Sequence, residues 1–171
     1  LLLVYLVKYV LFQYQANVFG PLIKKDKAFL QQTRFWCLHA LMNSDFFRHL
    51  PSDTVDELIQ SGHTRDIPKG EVIFNEGETG ASFYILLQGD VEFSKNGKPI
   101  NTLGQGGVFG EISLFYSFGQ RTASARTTSD CIVLIIQRYD FYKIIGRNLV
   151  LAKEIEALAL KRFNSGKTRA A

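Results

Sequence analysis

The strongest constraint on how this chain can fold is a series of short β-forming runs, cut by turn residues, that begins just after His63. Ile67 and Val72-Ile73-Phe74 flank Pro68-Lys69-Gly70-Glu71, which reads as a turn. Ser82 to Leu87 and Asp90 to Phe93 are separated by Gln88-Gly89, and Ala123 to Arg126 and Cys131 to Ile136 complete the series. Asn96-Gly97 is a strong hairpin signal, because both residues tolerate the positive φ that a two-residue turn requires. Short strands with closely spaced turns predict an antiparallel roll or sandwich. Fourteen Gly fit a turn-rich β architecture, and fourteen Phe supply the bulk of a core.

Helical spacing brackets this region. From Asp26 to about Asn43, the residues Phe29, Leu30, Phe35, Trp36, Leu38, Leu41 and Met42 recur at near-helical intervals. Ser44 or Asp45 suits the cap of a short turn that carries Phe46, Phe47 and Leu50. Pro51-Ser52-Asp53 opens a helix with Val55, Leu58 and Ile59 on one face and Gly62 as its stop. Beyond the β region, Arg138 to Ile145 is expected to be helical, with Tyr139, Phe141, Tyr142, Ile144 and Ile145 mostly inward. Leu149 to Phe163 is expected as the last helix, its apolar face formed by Leu151, Ile155, Leu158 and Leu160, with Ser165 to Ala171 a frayed tail. The fold class is α+β: an antiparallel, jelly-roll-like β roll flanked by N-terminal helices and two C-terminal helices. The expected division is an apolar helical segment or linker over 1–45, a folded domain over 46–165 and a tail over 166–171.

The chain has 171 residues, 46% of them hydrophobic and 21% charged, the balance of a packed domain with flanking elements. Its net charge of +4 is mild and its basic residues are scattered, apart from Lys24-Lys25 and the tail from Lys167 to Arg169, which argues against nucleic acid as a partner. Cys37 and Cys131 read as buried small hydrophobes in a reducing compartment. His39, His49 and His63 make no H-x-H or H-x-x-x-H pair, so neither a metal nor a cofactor is expected. Leu1 to Phe12 is almost wholly apolar, and it is too short to span a bilayer. Two readings stand for it: a buried or interface helix, or the end of a membrane helix with Lys24, Lys25 and Lys27 on the cytoplasmic side. With no initiator Met, the chain is expected to be a piece of a longer protein with an effector upstream of residue 1. The expected location is the cytoplasm, or the cytosolic face of a membrane protein. The apolar N-terminal helices are expected to pack on this domain, on a second copy in a homo-oligomer, or on an upstream domain.

The informative stretch is Val108-Phe109-Gly110-Glu111-Ile112-Ser113-Leu114, then a spacer, then Arg121-Thr122-Ala123-Ser124. Gly110 lets backbone approach a ligand closely. The residues after it suit a short helix whose first N–H groups attract an anion. Arg121 carries a planar fork matched to phosphate oxygens. Glu111 accepts hydrogen bonds of the kind that sugar hydroxyls donate. An acid beside an anion site is otherwise unfavourable, and it hints at a ligand with both phosphate and sugar. The competing reading is an exposed Glu111–Arg121 pair across a surface loop, of little energetic weight.

F-G-E-I-S-L, the spacer and R-T-A-S resemble the phosphate-binding cassette of the cyclic-nucleotide-binding family. That family includes regulatory subunits of cyclic-nucleotide-dependent kinases, cyclic-nucleotide-gated and hyperpolarisation-activated channels, and bacterial catabolite activators. Pro68 to Phe74, Glu76-Gly77-Glu78, Phe83 to Leu86, Gln88 to Val91, Asp130 to Leu134 and Arg138 to Phe141 extend the likeness over roughly Phe46 to Arg162. The resemblance implies a regulatory sensor rather than an enzyme. Its ligand would be cAMP or cGMP, with a slight lean to cAMP. Glu111 would bind the ribose 2′-hydroxyl and Arg121 the cyclic phosphate, with backbone N–H groups of Gly110, Ile112 and Ala123 adding phosphate contacts. Val91, Val108, Phe109 and Leu114 are candidates for either pocket wall or core. Thr122 bears on nucleotide choice, since a hydroxyl there can contact the amino group of a syn guanine. The spacer before Arg121 is slightly longer than in several relatives, which leaves the loop's shape open. The last helix would fold over the base as a lid, through Leu151, Ile155 or Leu158. Glu154 and Glu156 either reach a base edge or form a solvated face. A cupin-type enzyme would need clustered histidines, and a catabolite-activator-type regulator would need a helix-turn-helix after the short tail. The alternative within the family is a degenerate domain that serves only as a protein contact.

Overall fold

The computed structural model describes residues 37–38, 41–42, 44 and 46–168. The readings of Leu1 to Phe12 and of the helix from Asp26 through Trp36 lie outside the described residues, as do His39 and Asp45. Cys37, Leu38, Leu41 and Met42 are helical, in keeping with the periodicity of that segment.

The described elements run α1 (Ser52–Ser61), β1 (His63–Ile67), β2 (Val72–Phe74), β3 (Ser82–Gln88), β4 (Val91–Lys95), β5 (Lys98–Leu103), β6 (Val108–Phe109), α2 (Ile112–Phe115), a 3-10 turn (Ser117–Gly119), β7 (Ser124–Thr127), β8 (Cys131–Gln137), α3 (Arg138–Ile145) and α4 (Leu149–Thr168). The strands form two four-stranded sheets, ordered β1-β8-β3-β6 and β2-β7-β4-β5. Every strand pairing is antiparallel. This is the α+β roll with flanking helices that the sequence pattern indicates.

β3 shows why the first sheet is covered on both faces. Its sequence, SFYILLQ, is a continuous apolar run rather than an alternating one, and Phe83 through Leu87 are all buried. Successive side chains point to opposite faces. Tyr84 and Leu86 therefore meet Phe74, Val91, Phe109, Ala125 and Val133 between the sheets. Phe83, Ile85 and Leu87 meet the helices on the other side, among them Val55 and Leu58 of α1, Phe141 and Ile144 of α3, and Leu151 and Ile155 of α4. Phe83 and Phe141 lie ring to ring at 4.8 Å. Burying aromatic rings of this size contributes about 2–3 kcal/mol each before packing losses are counted.

The turn at Asn96-Gly97 forms as its residues require. Asn96 has φ 50° and Gly97 φ 73°, and Lys95 pairs with Lys98 across the two-residue loop. β5 is an edge strand, which accommodates Pro99. Ser44 makes the expected cap, accepting from Phe47 N–H at 3.2 Å.

Several expectations require correction. Of the residues expected inward on α3, Phe141 and Ile144 are buried but Tyr139 and Tyr142 are exposed, because a short helix against one sheet face has room for only a narrow stripe. On α4, Leu160 is exposed and Ala159 takes the buried position beside Ile155. The helix also continues through Thr168 rather than fraying from Ser165. Gly62 does end α1, but in extended conformation (φ −105°). It is needed for space, since a Cβ there would lie 2.8 Å from Leu134 Cδ1.

Candidate functional site

The cassette runs from β6 to β7 and turns at Gly110, whose φ of 84° suits only glycine. A Cβ at Gly110 would also lie 2.8 Å from Arg121 Nη1. Glu111 then stands at the start of the four-residue helix α2, its side chain making no capping bond. The returning limb passes through Ser117, Phe118 and Gly119, all at positive φ, which sets the shape of the spacer loop. Backbone bonds tie that limb to the β2–β3 connection: Arg121 N–H donates to Glu78 O at 2.8 Å, Gly77 N–H to Arg121 O at 2.8 Å and Gly80 N–H to Gly119 O at 2.7 Å.

Arg121 is only 5% exposed. Its Nη1 donates to Gly110 O at 2.9 Å and to Ser113 Oγ at 2.8 Å, and its Nη2 donates to Ser82 O at 3.0 Å. The guanidinium carbon lies 4.3 Å over the Phe74 ring and 5.3 Å from that of Tyr84. Those rings belong to an aromatic floor in which Tyr84 and Phe109 stack at 4.9 Å. Burial lowers the Arg121 pKa from the ordinary guanidinium value, with Tyr84, Glu111 and Glu78 opposing the shift. The charge nevertheless persists at neutral pH. Among the described residues no carboxylate pairs with it at ion-pair distance.

Glu111 is 1% exposed. Its Oε1 accepts from Arg162 Nη1 of α4 at 2.8 Å, and its Oε2 is buried with no hydrogen-bond partner. The exposed Glu111–Arg121 pair is thereby overturned: both groups are buried and each faces other partners.

A cavity of about 940 Å³ lies over these residues. Phe109, Gly110, Glu111, Ile112, Arg121, Thr122 and Ala123 all line it. Val108 does not: it packs among the helix-facing core residues and contributes only its carbonyl, which accepts from Arg162 at 2.7 Å. Val91 and Leu114 are likewise core. Further walls come from Phe74, from the β4–β5 hairpin, including Lys98 and Asn101, and from Leu158, Lys161, Arg162, Phe163 and Ser165 of α4. Of the three apolar residues expected of a lid, Leu158 reaches the cavity, whereas Leu151 and Ile155 are fully buried in the core. Glu154 and Glu156 are not on its wall. The hairpin and Arg162 escaped the sequence reading, because nothing local distinguishes a site-facing Lys or Arg from a solvated one.

Cys37 and Cys131 are buried and unpaired. Among the described residues no group of His, Cys, Asp and Glu could hold a metal ion, and no helix is long and apolar enough to cross a membrane.

Two antiparallel sheets, a glycine-turned cassette carrying a buried guanidinium and a buried carboxylate, and a helix across its mouth define a β roll of the cyclic-nucleotide-binding type. Residues 64–148 match the family model described as the cyclic nucleotide-binding domain, and the chain carries a domain of that family. It is 32% identical over 126 residues to cGMP-dependent protein kinase, isozyme 1, of Drosophila melanogaster, covering 73% of this chain and 16% of that one. It is 33% identical over 99 residues to the cAMP-dependent protein kinase regulatory subunit of Eremothecium gossypii, covering 58% of this chain and 21% of that one. Among solved structures, the catabolite activator protein of Thermus thermophilus superposes with a TM-score of 0.64 at 30% identity, covering 74% of this chain and 62% of that one. The chain thus spans only a small part of the curated relatives it matches.

Proposed function

We propose that this chain binds a cyclic purine nucleotide, cAMP or cGMP, and serves as the regulatory sensor of a larger signalling protein. One observation carries the reading: a buried guanidinium without a carboxylate partner and a buried carboxylate with a free oxygen line the same cavity. A cyclic phosphate supplies the anion that Arg121 lacks. The ribose 2′-hydroxyl supplies the donor that Glu111 Oε2 lacks. Backbone N–H groups of Gly110, Ile112 and Ala123 would complete the phosphate contacts, and the hydroxyl of Thr122, a residue of the cavity wall, would bear on the base. We place cAMP first and keep cGMP, since a cGMP-dependent kinase and a cAMP-dependent regulatory subunit are both relatives.

The same relatives support a protein kinase as effector, in the same polypeptide or as a partner, reached through the segment before residue 46. An upstream channel and a homo-oligomer through the N-terminal helices are the other arrangements this segment suits, all on the cytoplasmic side. Titration calorimetry with cAMP and cGMP tests the reading. Micromolar or tighter binding is expected, weakened by about 2 kcal/mol or more in Arg121→Ala, the scale of a lost buried charge-assisted contact. Absence of binding by folded protein overturns the sensor and leaves a protein-contact module.

A further inference from the structure

The chain carries 20 basic and 16 acidic residues, and its excess of positive charge is gathered in one place. Lys95, Lys98, Arg121, Lys161 and Arg162 line the cavity with a single acid, Glu111. The remaining 15 basic and 15 acidic residues balance. These five cations are scattered along the sequence and come together only in the fold. Lys95 and Lys98 stand opposite each other across the two-residue turn between β4 and β5. Like charges directly opposite weaken a hairpin slightly, so strand pairing does not account for them. Glu76 is beside that turn, its Oε2 accepting from Asn96 N–H at 2.8 Å, but it is not on the cavity wall. On α4, Leu158, Lys161, Arg162 and Ser165 follow the helical period, and all four line the cavity. Arg121 is held by neutral groups and Arg162 by Glu111. Lys98 and Lys161 are exposed, and among the described residues neither makes an ion pair. Exposed residues on a cavity wall mark its open side.

We propose that Lys98 and Lys161 are a steering pair that draws an anionic nucleotide into the cavity and sets its association rate, separately from the contacts that hold it once bound. This rests on the sensor reading above. Charges so exposed add little to a bound contact, because water and salt screen them. Their field still reaches outward for about 8 Å at physiological ionic strength and further in dilute salt. The apolar floor of stacked Tyr84 and Phe109 is a low-dielectric wall of the kind that concentrates such a field. One lysine comes from the hairpin and the other from α4, so the two elements present the same sign to an arriving ligand. A cyclic phosphate is attracted before it touches the protein, whereas a neutral nucleoside is not. Charge is thus selected at entry, ahead of the reading of the phosphate by Arg121. No movement of either element is required.

Stopped-flow rates of cAMP and cGMP binding to the full chain, in dilute and in concentrated salt, test the proposal. The double variant Lys98→Gln/Lys161→Gln is expected to slow association about 5- to 10-fold in dilute salt and to change dissociation by less than about 2-fold. The difference should vanish in concentrated salt. Lys98→Arg/Lys161→Arg keeps the charge and should keep the rate. Lys143→Gln removes one charge from an exposed residue off the cavity wall and should leave both rates unchanged. Equal association by wild type and the Gln double variant in dilute salt overturns the steering. A change confined to dissociation overturns it too, and makes the lysines ordinary contacts. The field is also read without nucleotide, by paramagnetic broadening of the amides of Lys98, Ile100, Lys161 and Ser165 with an anionic and a cationic nitroxide of like shape. Stronger broadening by the anion, lost in the Gln double variant, is expected, and equal broadening by the two overturns the field. If the nitroxides report the field but neither nucleotide binds, the sensor reading falls, and the steering of a nucleotide falls with it.

Discussion

Glu111 and Arg121 stand on opposite limbs of the cassette, both nearly inaccessible to water, and they do not pair with each other. Arg121 is held by two carbonyls and a hydroxyl, and Glu111 by Arg162. Opposite charges buried near one another usually neutralise directly. Here each is oriented by neutral groups or by a third residue, which keeps both facing the cavity. Changing Arg121 therefore breaks no ion pair with a carboxylate, whereas changing Glu111 also alters its pair with Arg162. Glu111→Gln keeps the shape but removes the charge, and calorimetry should show nucleotide affinity weakened by about 1.5–3 kcal/mol, the scale of a hydrogen bond to a charged group. An unchanged affinity would remove Glu111 from the site.

Gly80, like Gly110, lies against the Arg121 guanidinium. A Cβ at Gly80 would lie 2.2 Å from Ser113 Oγ and 2.7 Å from Arg121 Cζ. Gly80→Ala should thus displace Arg121 or Ser113, lowering stability by about 1–3 kcal/mol as overpacked sites do. Urea denaturation measures the stability loss, and nucleotide affinity should fall with it. A variant with wild-type stability and affinity would show that the slot is wider than the structure places it.

Phe118 holds a fully exposed ring at φ 52°, in the left-handed region that bulky residues avoid. Asn tolerates that conformation, so Phe118→Asn should stabilise the domain by about 0.5–1 kcal/mol. Chemical denaturation that shows a loss instead would mean that the ring is engaged by other parts of the protein.

Burial pushes the Cys37 thiol up from 9.0 to about 12. Between those values the folded protein keeps a proton that the unfolded chain releases, so stability falls as pH rises from 9 towards 12. Comparing wild type with Cys37→Ala isolates this contribution, which should steepen the wild-type alkaline slope by up to about 1.4 kcal/mol per pH unit. Identical slopes would show that Cys37 is open to solvent. At neutral pH the thiol should resist alkylation until the protein is unfolded.

The β roll was legible in the sequence because its signals are local. Asn96-Gly97 fixes its turn through its own φ preferences, and the apolar run of β3 fixes a strand with two covered faces. The cassette was legible only through its resemblance to a known family: the residue types of Gly110, Glu111 and Arg121 by themselves suggest a nucleotide or sugar-phosphate site and leave a surface ion pair open. Which residues share the cavity was not local, and tertiary structure alone decided it. Val108 and Phe109 are neighbours in one strand, yet the pleat sends Val108 to the helices and Phe109 to the cavity. Arg162, 51 residues from Glu111, is an ordinary helix cation until the path of α4 brings its guanidinium to Oε1 of a buried acid. Sequence period sets which face a residue occupies; the path of the chain sets what that face meets.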